Sequence, residues 1–194
     1  LADDTSSANT SSLGKTVTYF DEDVDGGTGD DTIVGAGNVD DSDTIAGGAG
    51  TDTLTLSGDT TLTTANLISG VEVVSLASEG DTAGANTGNQ YVIAMDDDND
   101  TDAAASATDV VSINAGGLVA DADADTAGDQ AETLNFTGAG TTTHLYSVTG
   151  GAGADTLVGG TLADTLIGGA GADGLTGGGG TDSLDGGEGG DTYT

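Results

Sequence analysis

From residue 150 onward an aspartate follows a pair of glycines at a fixed offset, and the unit returns every nine residues. The unit reads Gly-Gly-x-Gly-x-Asp-x-U-x, with U a large apolar residue. Five contiguous copies place Asp155, Asp164, Asp173, Asp182 and Asp191 at the sixth position, and Leu157, Leu166, Leu175, Leu184 and Tyr193 at the eighth. Gly151, Gly153, Gly169, Gly171, Gly178 and Gly180 fill second and fourth positions. One copy, "GGTLADTLI", has Leu162 at the fourth, where a positive φ would strain leucine. The unit also occurs in full at 26–34 with Asp31 and at 47–55 with Asp52; a stretched copy between them ends on Asp43. These residues offer carboxylate oxygens, and glycine lets backbone carbonyls turn inward beside them. An all-oxygen set suits calcium, which takes six to eight such ligands, better than zinc or copper. Magnesium is disfavoured because it demands tight octahedral geometry and keeps its waters.

Three further acidic runs have partial ligand spacing. Asp21, Asp23 and Asp25 alternate ahead of Gly26, as in the first half of a calcium loop, but Thr32 stands where the bidentate acid belongs. Asp121, Asp123, Asp125, Asp129 and Glu132 hold places 1, 3, 5, 9 and 12 of an EF-hand-type loop, with Thr126 in place of its glycine. The third run, Asp96, Asp98 and Asp100, has neither glycine nor glutamate in place. Each can equally be a solvated acidic loop. His144 is the only histidine, in a β-prone run with no nucleophile-elbow pattern near any serine, and is expected to be a surface or half-buried strand residue. No catalytic constellation emerges, so the chain is expected not to be an enzyme.

The elements that position these groups must be built from little apolar material. One buried leucine per nine residues cannot offset the ordering of a glycine-rich backbone, and stacked carboxylates repel. An ion that binds only the folded coil supplies the difference. The charge points the same way: 34 acidic residues against one basic give −33 over 194 residues, which excludes nucleic acid and anionic membrane as partners. Cysteine and proline are absent, so no disulfide contributes. No stretch approaches the length of a membrane helix, and residues 1–12 lack the basic head and apolar run of a signal peptide. Between 56 and 149 come short β-prone runs, "TLTLS", "VEVVSL", "YVIAM", "DVVSI", "TLNFT" and "HLYSV". Centres near Leu54, Val73, Val92 and Val111 recur about every 19 residues, a plausible solenoid turn. "KTVTYF" suggests an N-terminal edge strand, "ANLISG" one helical turn, and the acidic runs around 96–102 and 121–132 projecting loops. The expected organisation is an N-terminal strand and linker (1–24), a short repeat block (25–55), an irregular solenoid (56–149) and five regular nonapeptides (150–194).

The tandem copies resemble the calcium-binding repeats of RTX (repeats-in-toxin) exoproteins. The resemblance implies an all-β, right-handed parallel β-solenoid ending in a β-roll, with each sixth-place aspartate ligating calcium beside loop carbonyls. It implies ions between loops 18 residues apart: Asp155 with the loop at 168–172, Asp173 with that at 186–190, and Asp164 with that at 177–181. "TTANLISGVEVVSL" is similar, more loosely, to solenoid stretches of bacterial S-layer and giant surface proteins. The expectation is a calcium-binding structural segment of a secreted bacterial surface protein, S-layer or filament, folded and assembled by extracellular calcium. Its partners would be several calcium ions and copies of itself, with neither nucleic acid nor membrane insertion. Type I secretion would export it, though that route's C-terminal signal is not in this chain, and the chain stops directly after a repeat. The alternatives are a calcium-rigidified adhesin stalk and the C-terminal secretion module of an exoenzyme.

Overall fold

Alternation of apolar and small polar residues, punctuated by glycine, favours short strands joined by tight turns. The computed structural model describes residues 16–19, 24–36, 39–40, 43–57, 60–62, 68–77, 90–95, 109–116, 118, 132–138 and 144–194. Within these, every regular element is a strand, and every strand pairing is parallel. The molecule is a parallel β-solenoid.

One eight-stranded sheet runs through it, in the order β1 (Thr16–Tyr19), β3 (Thr32–Ala36), β6 (Thr53–Ser57), β9 (Val73–Ala77), β11 (Asp109–Asn114), β13 (His144–Thr149), β15 (Thr165–Ala170), β17 (Ser183–Glu188). The run "KTVTYF" does supply an edge strand, β1. A seven-stranded sheet faces it: β4 (Val39–Asp40), β7 (Thr60–Leu62), β10 (Gln90–Met95), β12 (Thr133–Gly138), β14 (Thr156–Val158), β16 (Gly174–Thr176), β18 (Thr192–Tyr193). Among the described residues a third sheet lies in the N-terminal half, from β2 (Val24–Asp25), β5 (Ile45–Ala46) and β8 (Ile68–Ser69). The described strands there visit three faces in turn, and from β11 onward they alternate between the two long sheets.

Two expectations are corrected by this arrangement. Ile68 and Ser69 of "ANLISG" form β8 in place of the expected helical turn; Ile68 is buried and pairs with Ile45. The spacing of about 19 residues between Leu54, Val73, Val92 and Val111 is not one uniform coil. Val92 lies in β10 on the opposite sheet, and Val73 pairs directly with Ser112. A long coil of two strands imitates two short coils, because each of its strands carries its own apolar run.

The core is a single column of inward-facing residues. In β6, Leu54 and Leu56 are buried while Thr53, Thr55 and Ser57 lie half-exposed, the alternation expected of a pleated wall. The longer coils of the middle hold the large rings, with Phe136 and Tyr146 packed edge to face at 5.3 Å and 67°. Gly138 makes room for them: a Cβ there would meet the Tyr146 ring at 2.5 Å. In the nonapeptides the eighth-place residues stack in register, Leu157 on Leu175 and Leu166 on Leu184. His144 is buried at the start of β13, deeper than the surface or half-buried position expected of it. No helix among the described residues is long and apolar enough to cross a membrane.

Candidate metal centre

Each nonapeptide loop precedes a strand, and its sixth-place aspartate stands at the junction. Strand pairing therefore fixes the aspartates one above another. In the C-terminal block they form two ladders 18 residues per step. On the β14 side, the Asp155 N–H donates to Asp173 Oδ1 at 2.8 Å, and the Asp173 N–H to Asp191 Oδ1 at 3.0 Å. On the β15 side, the Asp164 N–H donates to Asp182 Oδ1 at 2.9 Å. The first bond of each ladder comes from outside the repeats, from the N–H groups of Leu134 to Asp155 Oδ1 and Tyr146 to Asp164 Oδ1. The aspartate carbonyls bond forward: Asp155, Asp164 and Asp173 accept the N–H groups of Gly174, Ser183 and Thr192.

The N-terminal block repeats the device. The Asp31 N–H donates to Asp52 Oδ1 at 2.7 Å, and the Asp52 N–H to Glu72 Oε2 at 2.6 Å. Glu72 thus takes the sixth place of a rung that sequence reading missed. The signal is faint, because only Gly70 precedes it where a full copy has three glycines, and its side chain is one methylene longer.

The carboxylates are deeply placed. Asp31, Asp43, Asp52, Asp155, Asp164 and Asp173 are all at most 2% exposed. Burying an ionised carboxylate is costly unless hydrogen bonds or a cation compensate it. Burial pushes the Asp155 carboxyl up to about 6, against the pull of the Leu134 and Gly151 N–H groups. Burial likewise raises Asp52, Asp164 and Asp173.

The second carboxylate oxygen divides the rungs into two kinds. Asp155 Oδ2 accepts its own loop's Gly151 N–H at 2.7 Å, and Asp164 Oδ2 accepts Gly160 N–H at 2.6 Å. Asp52 Oδ2 and Asp173 Oδ2 are buried without any hydrogen-bond donor. The difference follows the loop backbone. In the copies of Asp52 and Asp173 the second glycine is left-handed, with φ of 104° at Gly48 and 115° at Gly169, whereas Gly151 and Gly160 lie outside that region. Leu162 sits in one of these other loops, half-buried, with the backbone of Gly180 directly against its own.

A cradle recurs beside Asp31, Asp52, Asp155, Asp164 and Asp173. A Cβ added to the first glycine of a copy would run into that copy's Asp Oδ2 and the first-glycine carbonyl of the next coil. At Gly168 these are Asp173 Oδ2 and Gly186 O; at Gly150, Asp155 Oδ2 and Gly168 O; at Gly159, Asp164 Oδ2 and Gly177 O. One carboxylate and one carbonyl from adjacent coils thus converge on a point that only glycine leaves open. Among the described residues no three acidic or imidazole groups gather around one point, so an ion here draws on carbonyls as well as carboxylates. Hard oxygens, a donorless buried carboxylate and this cradle fit calcium. Asp52, Asp173 and the neighbouring glycine carbonyls would hold it, and it would neutralise the carboxylates and tie coil to coil.

The other anticipated ligands differ in setting. Asp182 and Asp191 are half-buried at the C-terminal end of the ladders, and Asp43 is buried ahead of β5 on the third face. Asp25 is exposed at the end of β2, directly ahead of the first glycine of the 26–34 loop. Glu132 is buried, and its carbonyl lies against Gly153, which places its backbone in the column of the first nonapeptide. Asp21, Asp23, Asp121, Asp123 and Asp125 fall outside the described residues, as does the run at 96–102.

No curated protein and no solved structure matches the chain significantly. Four stretches, 17–54, 40–60, 147–162 and 158–193, match the family model of the RTX calcium-binding nonapeptide repeat.

Proposed function

We propose, for what is an RTX repeat protein with a calcium-binding repeat region, that the chain is a non-enzymatic, calcium-stapled structural segment of a secreted bacterial surface protein, an S-layer or extracellular filament. The observation that carries this reading is the ladder of buried aspartates, two of which, Asp52 and Asp173, keep an oxygen with no donor. A chain of −33 charge with such a ladder resists compaction until a dication arrives. At low intracellular calcium it stays extended and exportable, as type I secretion of such repeats requires. Outside, millimolar calcium matches the weak affinities, ~10⁻⁴–10⁻³ M, of extracellular modules. The long parallel sheets then offer their edges to further copies.

The test of the folding step is far-UV circular dichroism of the full chain across a calcium titration. Strand signal rising from a disordered baseline is expected; full strand content in chelator would refute the step. For assembly, fibres or sheets seen by electron microscopy in calcium and lost in chelator are expected. A chain that stays monomeric at high concentration with calcium bound would refute assembly alone.

A further inference from the structure

The cradle described above also occurs where no nonapeptide follows. A Cβ on Gly47 would lie 2.8 Å from Asp52 Oδ2 and closer still to the carbonyl oxygen of Gly70. Gly70 therefore occupies the place that Gly168, Gly177 and Gly186 hold for the regular copies. It has a left-handed φ of 57°, and Gly47 N–H donates to the adjacent Ser69 carbonyl at 2.8 Å. Two residues on, Glu72 receives the Asp52 N–H as Asp52 receives that of Asp31. Beyond it, Val73 N–H donates to the Asp52 carbonyl, as Thr53 N–H does to that of Asp31. Asp52 itself is fully buried, and its Oδ2, aimed into this cradle, has no donor.

We propose that 69–72 is a shortened third rung of the N-terminal block, whose Gly70 carbonyl and Glu72 carboxylate complete a calcium site with Asp52. The regular loop spends five residues from first glycine to acid. Here two suffice, because glutamate's extra methylene recovers part of the reach that the missing loop would supply. The N-terminal matched repeat stretches end at residue 60, so this ligand pair lies outside them. The site rests on the calcium reading above, and it extends the metal-bound column across β8 and β9 into the irregular middle.

The test is calcium titration calorimetry of the full chain, wild type against Glu72→Gln, with Asp173→Asn as reference. The amide introduced by Glu72→Gln keeps an oxygen for the Asp52 N–H and removes the charge. One ion fewer, or one ion bound at least about tenfold more weakly, is expected in Glu72→Gln. Binding identical to wild type, while Asp173→Asn loses an ion, overturns the third rung alone. No binding by wild type overturns the calcium reading with it. Should Glu72→Gln fail to fold, anomalous diffraction from wild-type crystals grown with a lanthanide decides. A peak between Asp52 and Gly70 is expected, and peaks at Asp173 with none at Asp52 overturn the site.

Discussion

The hydrogen that stands in place of a methyl group on a first-place glycine Cα keeps open the point where a carboxylate and a carbonyl of adjacent coils converge. At Gly168 a methyl group would overlap Asp173 Oδ2 and the Gly186 carbonyl. Gly168→Ala should weaken one calcium ion by about tenfold or more, about 1.4 kcal/mol, in calorimetry. Protonation acts on the same oxygens. Asp155 has its carboxyl raised by burial to about 6 from 3.8, so the folded chain binds more protons than the unfolded one between those values. The stability this confers is complete below the unfolded value and disappears as pH rises through about 6. In chelator, far-UV strand signal should therefore rise as pH falls from about 7 to about 4, because protons take over part of the neutralisation that the ion supplies. In calcium the trend should reverse, because protons and the ion compete for the carboxylates. Calcium-saturated urea midpoints that do not change over the same pH range would contradict the burial of these groups. The sixth-place aspartates from Asp155 to Asp191 were legible in the sequence because their interval never varies. Glu72 was not, because a shortened loop and a longer acid erase both interval and residue type while preserving the hydrogen bond.

Strands of the nonapeptide blocks were equally plain, since each carries one large apolar residue and one glycine turn. Leu166, fully buried and stacked on Leu184, should cost about 2–5 kcal/mol as Leu166→Ala, read from urea unfolding in saturating calcium. Its neighbour Ile167 is 37% exposed, and Ile167→Ser should stay within about 0.5 kcal/mol. Equal effects at the two positions would contradict the inward–outward assignment. The third face escaped sequence reading for a physical reason. Its strands are two residues long, Val24–Asp25, Ile45–Ala46 and Ile68–Ser69, too short for alternation to register. They exist because neighbouring coils supply their hydrogen bonds, and no local preference calls for them. The misplacement of Val92 has a related origin, since apolar runs mark strands without saying which sheet receives them.

Among the described residues, strand pairings pass from one coil to the next, so distant sites should behave independently. Asp52→Asn and Asp173→Asn should add within about 0.5 kcal/mol in the double variant, measured as calcium-dependent stability. A larger coupling would point to contacts that the stacked sheets do not contain. Every ladder bond also runs in one sense. The N–H of an earlier coil is satisfied by the carboxylate of a later one, from Asp31 through Glu72 and from Leu134 and Tyr146 through Asp191 and Asp182. The stack thus has an arrow. A segment threaded through a pore carboxyl end first would have each new turn hand its N–H groups to carboxylates already outside, like a zip whose slider follows the cloth.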